Sequence, residues 1–333
     1  MRTVVGVLRG GPSSEYEVSL KSGAAVLQAL DAVKYEPRDI FIDRAGIWHA
    51  HGVASSPERA LRGVDVALNA MHGEYGEDGE VQKLLDSLAV PYTGSGAAAS
   101  ALAFNKARTK QAVKKLDIKT PRALLVNRGD AHGDTEALAF TIFRSFPHPA
   151  IVKPVIGGSS VGTTVVNTYH MLAWALEEAF KISEQALIEE FIRGREATVG
   201  VIDDFRGEKT YALFPVEIIP PKSRPFFDYS AKYSGESVER VPGNFTNGEK
   251  DELGRLAKAV HEGLGLSHYS RSDFILSRRG IYFLEVNTLP GLTTESLLPK
   301  AVRAVGSNLT QFLDHIVTLA KDGRGKLLSV SYE

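Results

Sequence analysis

Asp273, Glu285 and Asn287 carry the strongest chemical hint in this 333-residue chain, within "DFILSRRGIYFLEVNTLPG", residues 273–291. The run reads as two strands, 269–276 and 281–287, rich in β-branched and aromatic residues and joined by Arg278-Arg279-Gly280. A three-residue loop with glycine at its last, left-handed position predicts a hairpin register. It sets Ile275 opposite Phe283, Asp273 opposite Glu285, and Arg271 opposite Asn287. Period-two alternation then gathers Arg271, Asp273, Glu285 and Asn287 on one face, leaving Phe274, Leu276, Tyr282, Leu284 and Val286 to the other. Directly opposed like charges destabilise a sheet. Two full charges about 5 Å apart cost roughly 3 kcal/mol at an effective dielectric near 20. Either Arg271 neutralises the pair, or the register is off by one, or a hard cation bridges it; two carboxylates and a carboxamide oxygen suit Mg²⁺, which shares its shell with phosphate.

Other segments offer matching pieces. "KPVIGGSSVG", residues 153–162, is a loop whose backbone N–H groups could cradle phosphate oxygens, or a plain hairpin loop. It is not a Walker A sequence. Lys153 lies on an apolar strand and needs an anionic partner, while Lys106 precedes a helix and on its own reads better as a solvated lysine. In "LIEEFIRGRE", residues 187–196, Glu189, Glu190 and Glu196 could accept from a ribose diol or decorate a surface turn. "MHGEYGEDGEVQ", residues 71–82, follows the C-terminal end of a strand, where open α/β sheets bind ligands. His72 is a candidate polar contact there. Glu77 and Asp78 read as complements to a helix N-terminus, and Glu15 at the first βα loop has both readings.

The elements that must position these residues alternate at first. Strands at 3–8, 36–42 and 64–70 and helices at 17–30 and 77–88 predict a parallel sheet with packed helices. The turn "RGGPSSE" is not a dinucleotide fingerprint. Past a boundary near 92–100, a helix starts around Asn105, strands cover 120–126 and 149–155, and helices cover 135–145 and 169–181. From 194 onward the pattern is mainly antiparallel, interrupted by a long loop at 221–247 that reads as an active-site lid. Helices at 249–264 and 309–321 follow, with Gly323 as a C-terminal cap. At this length two or three domains are expected. A formal net charge of −1 gives no electrostatic case for nucleic acid or an anionic membrane. With no cysteine there are no disulfides, thiolate metal sites or cysteine nucleophile. No apolar run reaches a membrane span and no signal core precedes the first strand, so the cytoplasm is expected.

Taken together, "GGPSSEYEVSLKSG", "MHGEYGEDGEVQ", "PYTGSGAAASALAFNK", "IVKPVIGGSSVG", "LIEEFIRGRE", "FFDYSAKY", and "RSDF" with "LEVNTLPGLT" resemble the D-alanine–D-alanine ligases of the ATP-grasp superfamily over nearly the whole chain. The resemblance implies an α/β three-domain ATP-grasp architecture. Its parts would be an N-terminal Rossmann-like parallel sheet (1–98), a central α+β subdomain (99–188), and a mainly antiparallel C-terminal subdomain (189–333) carrying the lid 221–247.

It also implies an ATP-dependent ligase that forms a peptide bond between two D-alanines for peptidoglycan, through a D-alanyl phosphate. Lys106, Lys153 and Ser160 would meet the ATP phosphates, with Lys232 reaching from the lid. Glu189, Phe191, Ile192, Glu196, Ile275 and Leu284 would hold the nucleoside. Asp273, Glu285 and Asn287 match ligands for two Mg²⁺ ions, replaceable by Mn²⁺. Glu15, with His72 nearby, would hold the first D-alanine; Arg271 and the Gly291 N–H would stabilise the oxyanion; Ser296 and Leu297 would receive the second carboxylate. Ser159 and Tyr233 would link Glu15 to the lid, and Tyr233 speaks against D-lactate as second substrate. Rivals are a D-lactate or D-serine ligase of the same family and a non-catalytic nucleotide-binding protein. A homodimer is the family's habit. Ile156, Gly157, Ser272 and Gly243 depart from the family pattern.

Overall fold

The computed structural model describes residues 2–158, 161–220 and 238–330, with side chains of the last helix as far as Gly323. Ser159, Ser160, Lys232, Tyr233 and the expected lid as far as residue 237 lie outside the described residues.

The first sheet contains β1 (Thr3–Gly10), β2 (Tyr35–Ile42), β3 (Trp48–Ala50), β4 (Val53–Ser55) and β5 (Val66–Asn69), in the order β4-β3-β2-β1-β5. β1 runs parallel to both β2 and β5, but β3 and β4 add an antiparallel hairpin at one edge. The expected parallel sheet is therefore parallel only at its centre. Val5, Val7 and Leu8 in β1 are all fully buried, as a strand covered on both faces requires. Helix α1 (Tyr16–Ala29) packs on this sheet; α2 (Pro57–Ala60) and α3 (Glu80–Ser87) follow in the chain.

After α4 (Ala97–Phe104) and α5 (Lys106–Lys114), the second sheet is antiparallel throughout: β6 (Ala123–Asn127), β9 (Gln185–Glu190), β7 (Ala150–Pro154) and β8 (Thr164–Val166), in that order. Helices α6 (Thr135–Ser145) and α7 (Tyr169–Ile182) share its core through Ala139, Ile142, Leu172 and Leu176. Both begin at side-chain caps: Asp134 accepts from the Ala137 N–H at 2.9 Å and Thr168 from the Met171 N–H at 3.3 Å. The expected division after residue 188 falls inside β9, whose ladder continues to Glu190.

The third sheet has the order β13-β12-β10-β14-β15, with β11 also on β10. Its strands are β10 (Arg195–Phe205), β11 (Glu208–Ala212), β12 (Val216–Ile219), β13 (Val238–Arg240), β14 (Tyr269–Ser277) and β15 (Gly280–Asn287). Helix α8 (Asn247–Gly263) starts at a capping box between Thr246 and Glu249 and packs on β10 and β14. Ala103 of α4, Val113 of α5 and Ile118 share a core with Val199, Leu253, Phe274 and Phe283. Thus α4 and the Val113 side of α5, expected in the central unit, pack against the C-terminal one, while Ala107 of α5 packs with Val155 and Leu187 of the central unit. Helices α9 (Leu297–Ala304) and α10 (Leu309–Val330) complete a core that runs from Val5 and Leu68 to Tyr269 and Phe312. Gly323 caps nothing: α10 continues through it to Val330.

Candidate active site

Asp273 pairs with Glu285 and Arg271 with Asn287, as the alternation predicts, but the turn is tighter. Gly280, at φ +115°, pairs with Ser277, so Arg278 and Arg279 alone form the loop. A β-bulge between Asp273 and Phe274 absorbs the displaced residue. Two corrections follow. Ile275 faces Tyr282 rather than Phe283, and Phe283 instead opposes Phe274 in the core. Leu284, expected on the core face, lines the cleft beside Ile275. A bulge strengthens local twist and re-aims the side chains beyond it.

Arg271 does meet Asp273. Its Nε and Nη2 each donate across 3.1 Å to the carboxylate, and Thr198 on the neighbouring β10 donates to the same Oδ1. Burial works against the Arg271 charge, yet Asp273, Glu285 and Glu77 together hold its pKa above the ordinary value. Arginine thus spans the opposition without ending it, because Glu285 adds a second carboxylate on the same face. The Asn287 Oδ1 accepts from the Leu289 N–H at 2.9 Å, which fixes the carboxamide.

Between the second and third sheets lies a cavity of about 400 Å³. Lys106, Lys153, Glu189, Arg271, Asp273 and Glu285 form its charged end. Ile151, Ile218, Ile275 and Leu284 supply apolar surface, with Phe191 and Ile192 in the connection after β9, Glu196 at the start of β10, and Leu297 also in the lining. A smaller cavity of about 50 Å³ shares Lys106, Arg271 and Glu285 with the first and adds Glu15, Glu77, Gly158 and Asn287. Twelve residues proposed from sequence therefore meet at the larger cavity, and Glu15 and Asn287 join at the smaller.

Lys153 finds the anionic partner it needs. Its Nζ lies 2.9 Å from the Glu189 Oε2, and both are buried. Burial opposes the lysine charge, but Glu189 and then Glu285 outweigh it, and the net pKa is raised. Lys106 is pushed the other way, lowered chiefly by burial and further by Lys153. Sequence reading missed Lys110. One helical turn beyond Lys106, its Nζ sits 2.7 Å from the other Glu189 oxygen, and burial brings its pKa down to about 8. The i, i+4 spacing of two lysines on α5 was the available signal. Glu189, expected to hold the nucleoside, has each carboxylate oxygen on a lysine.

His72 lines neither cavity. It donates from Nδ1 to the Leu289 carbonyl at 2.8 Å and accepts on Nε2 from Ser22 at 2.7 Å, fastening α1 to the loop after β15. Glu77 does not serve the α3 N-terminus either. It is buried 3.9 Å from His72, and burial raises its pKa, while Asp78 accepts the Glu80 N–H at 2.9 Å. Ser296 shares a hydrogen bond of 2.8 Å with Thr293 and borders Gly291, where a Cβ would come within 2.7 Å of the Ser296 Oγ.

A family model described as D-ala D-ala ligase C-terminus matches residues 112–318, and one described as D-ala D-ala ligase N-terminus matches 4–60 and 51–95. The chain belongs to the D-alanine–D-alanine ligase family. It is 41% identical over 318 residues, 95% of each chain, to the D-alanine–D-alanine ligase of Geotalea uraniireducens. Identity is 38% over 328 residues with that of Pelotomaculum thermopropionicum, covering 98% of this chain and 99% of the other. Among solved structures, the VanG D-Ala:D-Ser ligase from Enterococcus faecalis superposes with TM-score 0.83 at 28% identity, over 96% and 100% of the two chains. The D-alanine-D-alanine ligase from Coxiella burnetii gives 0.83 at 26%, over 99% and 97%. The three sheets are those of the three-domain ATP-grasp architecture of this ligase family.

Proposed function

We propose that this chain is an ATP-dependent D-alanine–D-alanine ligase working through a D-alanyl phosphate. The carrying observation is the convergence of Asp273, Glu285, Lys106 and Lys153 on one cavity that Ile151, Ile218, Ile275 and Leu284 also line. The carboxylate of one D-alanine attacks the γ-phosphorus, and ADP leaves with the electron pair of the broken P–O bond. The amine of the second then attacks the acyl carbon, and inorganic phosphate leaves.

Lys106 and Lys153 bind phosphate oxygens, joined by Ser160 and Lys232. Backbone groups at Phe191 and Ile192 hold adenine between Ile275 and Leu284, and Glu196 receives the ribose. The oxygen-only donor set of Asp273, Glu285 and Asn287 fits Mg²⁺, two ions in our reading, with Mn²⁺ able to replace it. When bound, the metal neutralises phosphate charge and polarises the transferred group. Glu15, with His72 behind it, orients the first D-alanine. Arg271 reaches from Asp273 toward the developing oxyanion together with the Gly291 N–H, and Ser296 and Leu297 receive the second carboxylate. Ser159 and Tyr233 link Glu15 to the 221–247 lid, which excludes water from the acyl phosphate.

We place the unit boundaries near 98 and 188, with β9 kept whole in the central unit, and infer a homodimer acting in the cytoplasm on peptidoglycan precursors. No helix among the described residues is long and apolar enough to cross a membrane.

Mass spectrometry of products from ATP, Mg²⁺ and an equal mixture of D-alanine, D-serine and D-lactate tests this reading. D-alanyl-D-alanine with equimolar phosphate is expected. A predominant D-alanyl-D-serine or D-alanyl-D-lactate product, or nucleotide binding without any ligation, overturns it.

A further inference from the structure

Lys110 is buried, and it does not line the cavity that Lys106, Lys153 and Glu189 line. It approaches Glu189 from behind. Its Nζ also donates to the Pro121 carbonyl at 3.3 Å, which fixes the ammonium in the wall. Glu189 thus divides its two oxygens between one lysine in the wall and one facing the cavity, at 2.7 and 2.9 Å. Lys110, Glu189 and Lys153 together carry one net positive charge when all are ionised.

We infer that Lys110 is a positioning residue for nucleotide binding: it neutralises Glu189 from behind, so that Lys153 presents an unspent cation to the phosphates. This rests on the nucleotide reading of the cavity above. Without Lys110, the Glu189 carboxylate belongs wholly to Lys153. The Lys153–Glu189 pair is then neutral, and its carboxylate opposes the phosphates from within the same wall.

The test exploits charge balance. Lys110→Met leaves the remaining pair neutral, whereas Lys110→Met with Glu189→Gln restores one net positive charge on Lys153. Calorimetric titration with MgATP and, separately, with adenosine gives an affinity ratio that isolates the phosphate contribution from any contact of residue 189 with the base. Loss of a charged partner of this kind predicts a fall in that ratio of about tenfold or more for the single variant. The double variant is expected to recover most of it. An unchanged ratio in the single variant, equal weakening of both ligands, or no recovery in the double variant overturns the proposal.

Where the single variant fails to fold, the double variant carries the test: a MgATP-to-adenosine ratio near that of the wild type supports the proposal, and a ratio lowered about tenfold, or failure of both variants to fold, overturns it. Wild-type protein that binds ATP but ligates nothing refutes the functional reading and leaves the triad standing.

Discussion

Asp273 and Glu285 stand opposite each other in the β14–β15 ladder, with Arg271 and Thr198 both donating to Asp273. Arg271 and Thr198 thus hold the Asp273 carboxylate in place, and the Glu285 charge bears on Lys106 and Lys153 as well.

Gly158 approaches Glu15 so closely that a Cβ built there would lie 1.9 Å from the Glu15 Oε2. Gly158→Ala must displace the carboxylate that we assign to the first D-alanine. Its KM for D-alanine is expected to rise about tenfold or more, the scale of a lost charge-assisted hydrogen bond, with the KM for ATP little changed. Steady-state kinetics in each substrate checks this; equal effects on both substrates would refute the assignment of Glu15.

Leu284 reaches the cleft only because of the bulge. Leu284→Ala removes apolar surface from the wall we assign to adenine, and roughly 0.8 kcal/mol for each methylene the base covers predicts at least a several-fold rise in the KM for ATP. Turnover at saturating ATP should be retained. An unaltered KM for ATP would show that the base does not lie on this wall.

His268 joins the segment between α3 and α4 to the third sheet: its Nδ1 accepts from the Gly94 N–H at 3.0 Å. Burial depresses its pKa from 6.5 to about 4, against the pull of Asp203 and with the help of His261 and His315. The unfolded chain binds this proton below pH 6.5 while the folded chain resists it until about 4. Stability from this group is complete above 6.5 and is lost as pH falls toward 4, by about 3 kcal/mol for a shift of that size. Asn tolerates the left-handed backbone at this position, where φ is +65°. Urea unfolding at pH 7 and pH 5 should show His268→Asn losing less stability than wild type; parallel losses would exclude His268 as the source.

Local patterning carried much of this fold. Helix α6 occupies 135–145 as periodicity predicts, and the end of the hairpin register away from the turn follows the expected pairing. The bulge was illegible because Tyr282, Phe283 and Leu284 are consecutive apolar residues with no parity to break. Gly323 reads as a cap by type, yet an interior helical glycine costs only about 1 kcal/mol, and α10 continues through it. Strands β3 and β4 have three residues each, too few for a period-two signal. The Lys110–Glu189 contact joins residues far apart in sequence, so only the packed sheet and helix reveal it.

Glu285→Gln tests the central claim most directly, since it removes one anionic oxygen ligand with almost no change of volume beside Asp273. Dipeptide formation measured across a Mg²⁺ titration is expected to fall by at least about a hundredfold, the scale of a lost electrostatic contact to a transition state, with thermal unfolding near the wild-type temperature. Near-wild-type turnover at limiting Mg²⁺ would contradict the assignment of this hairpin face as the metal site.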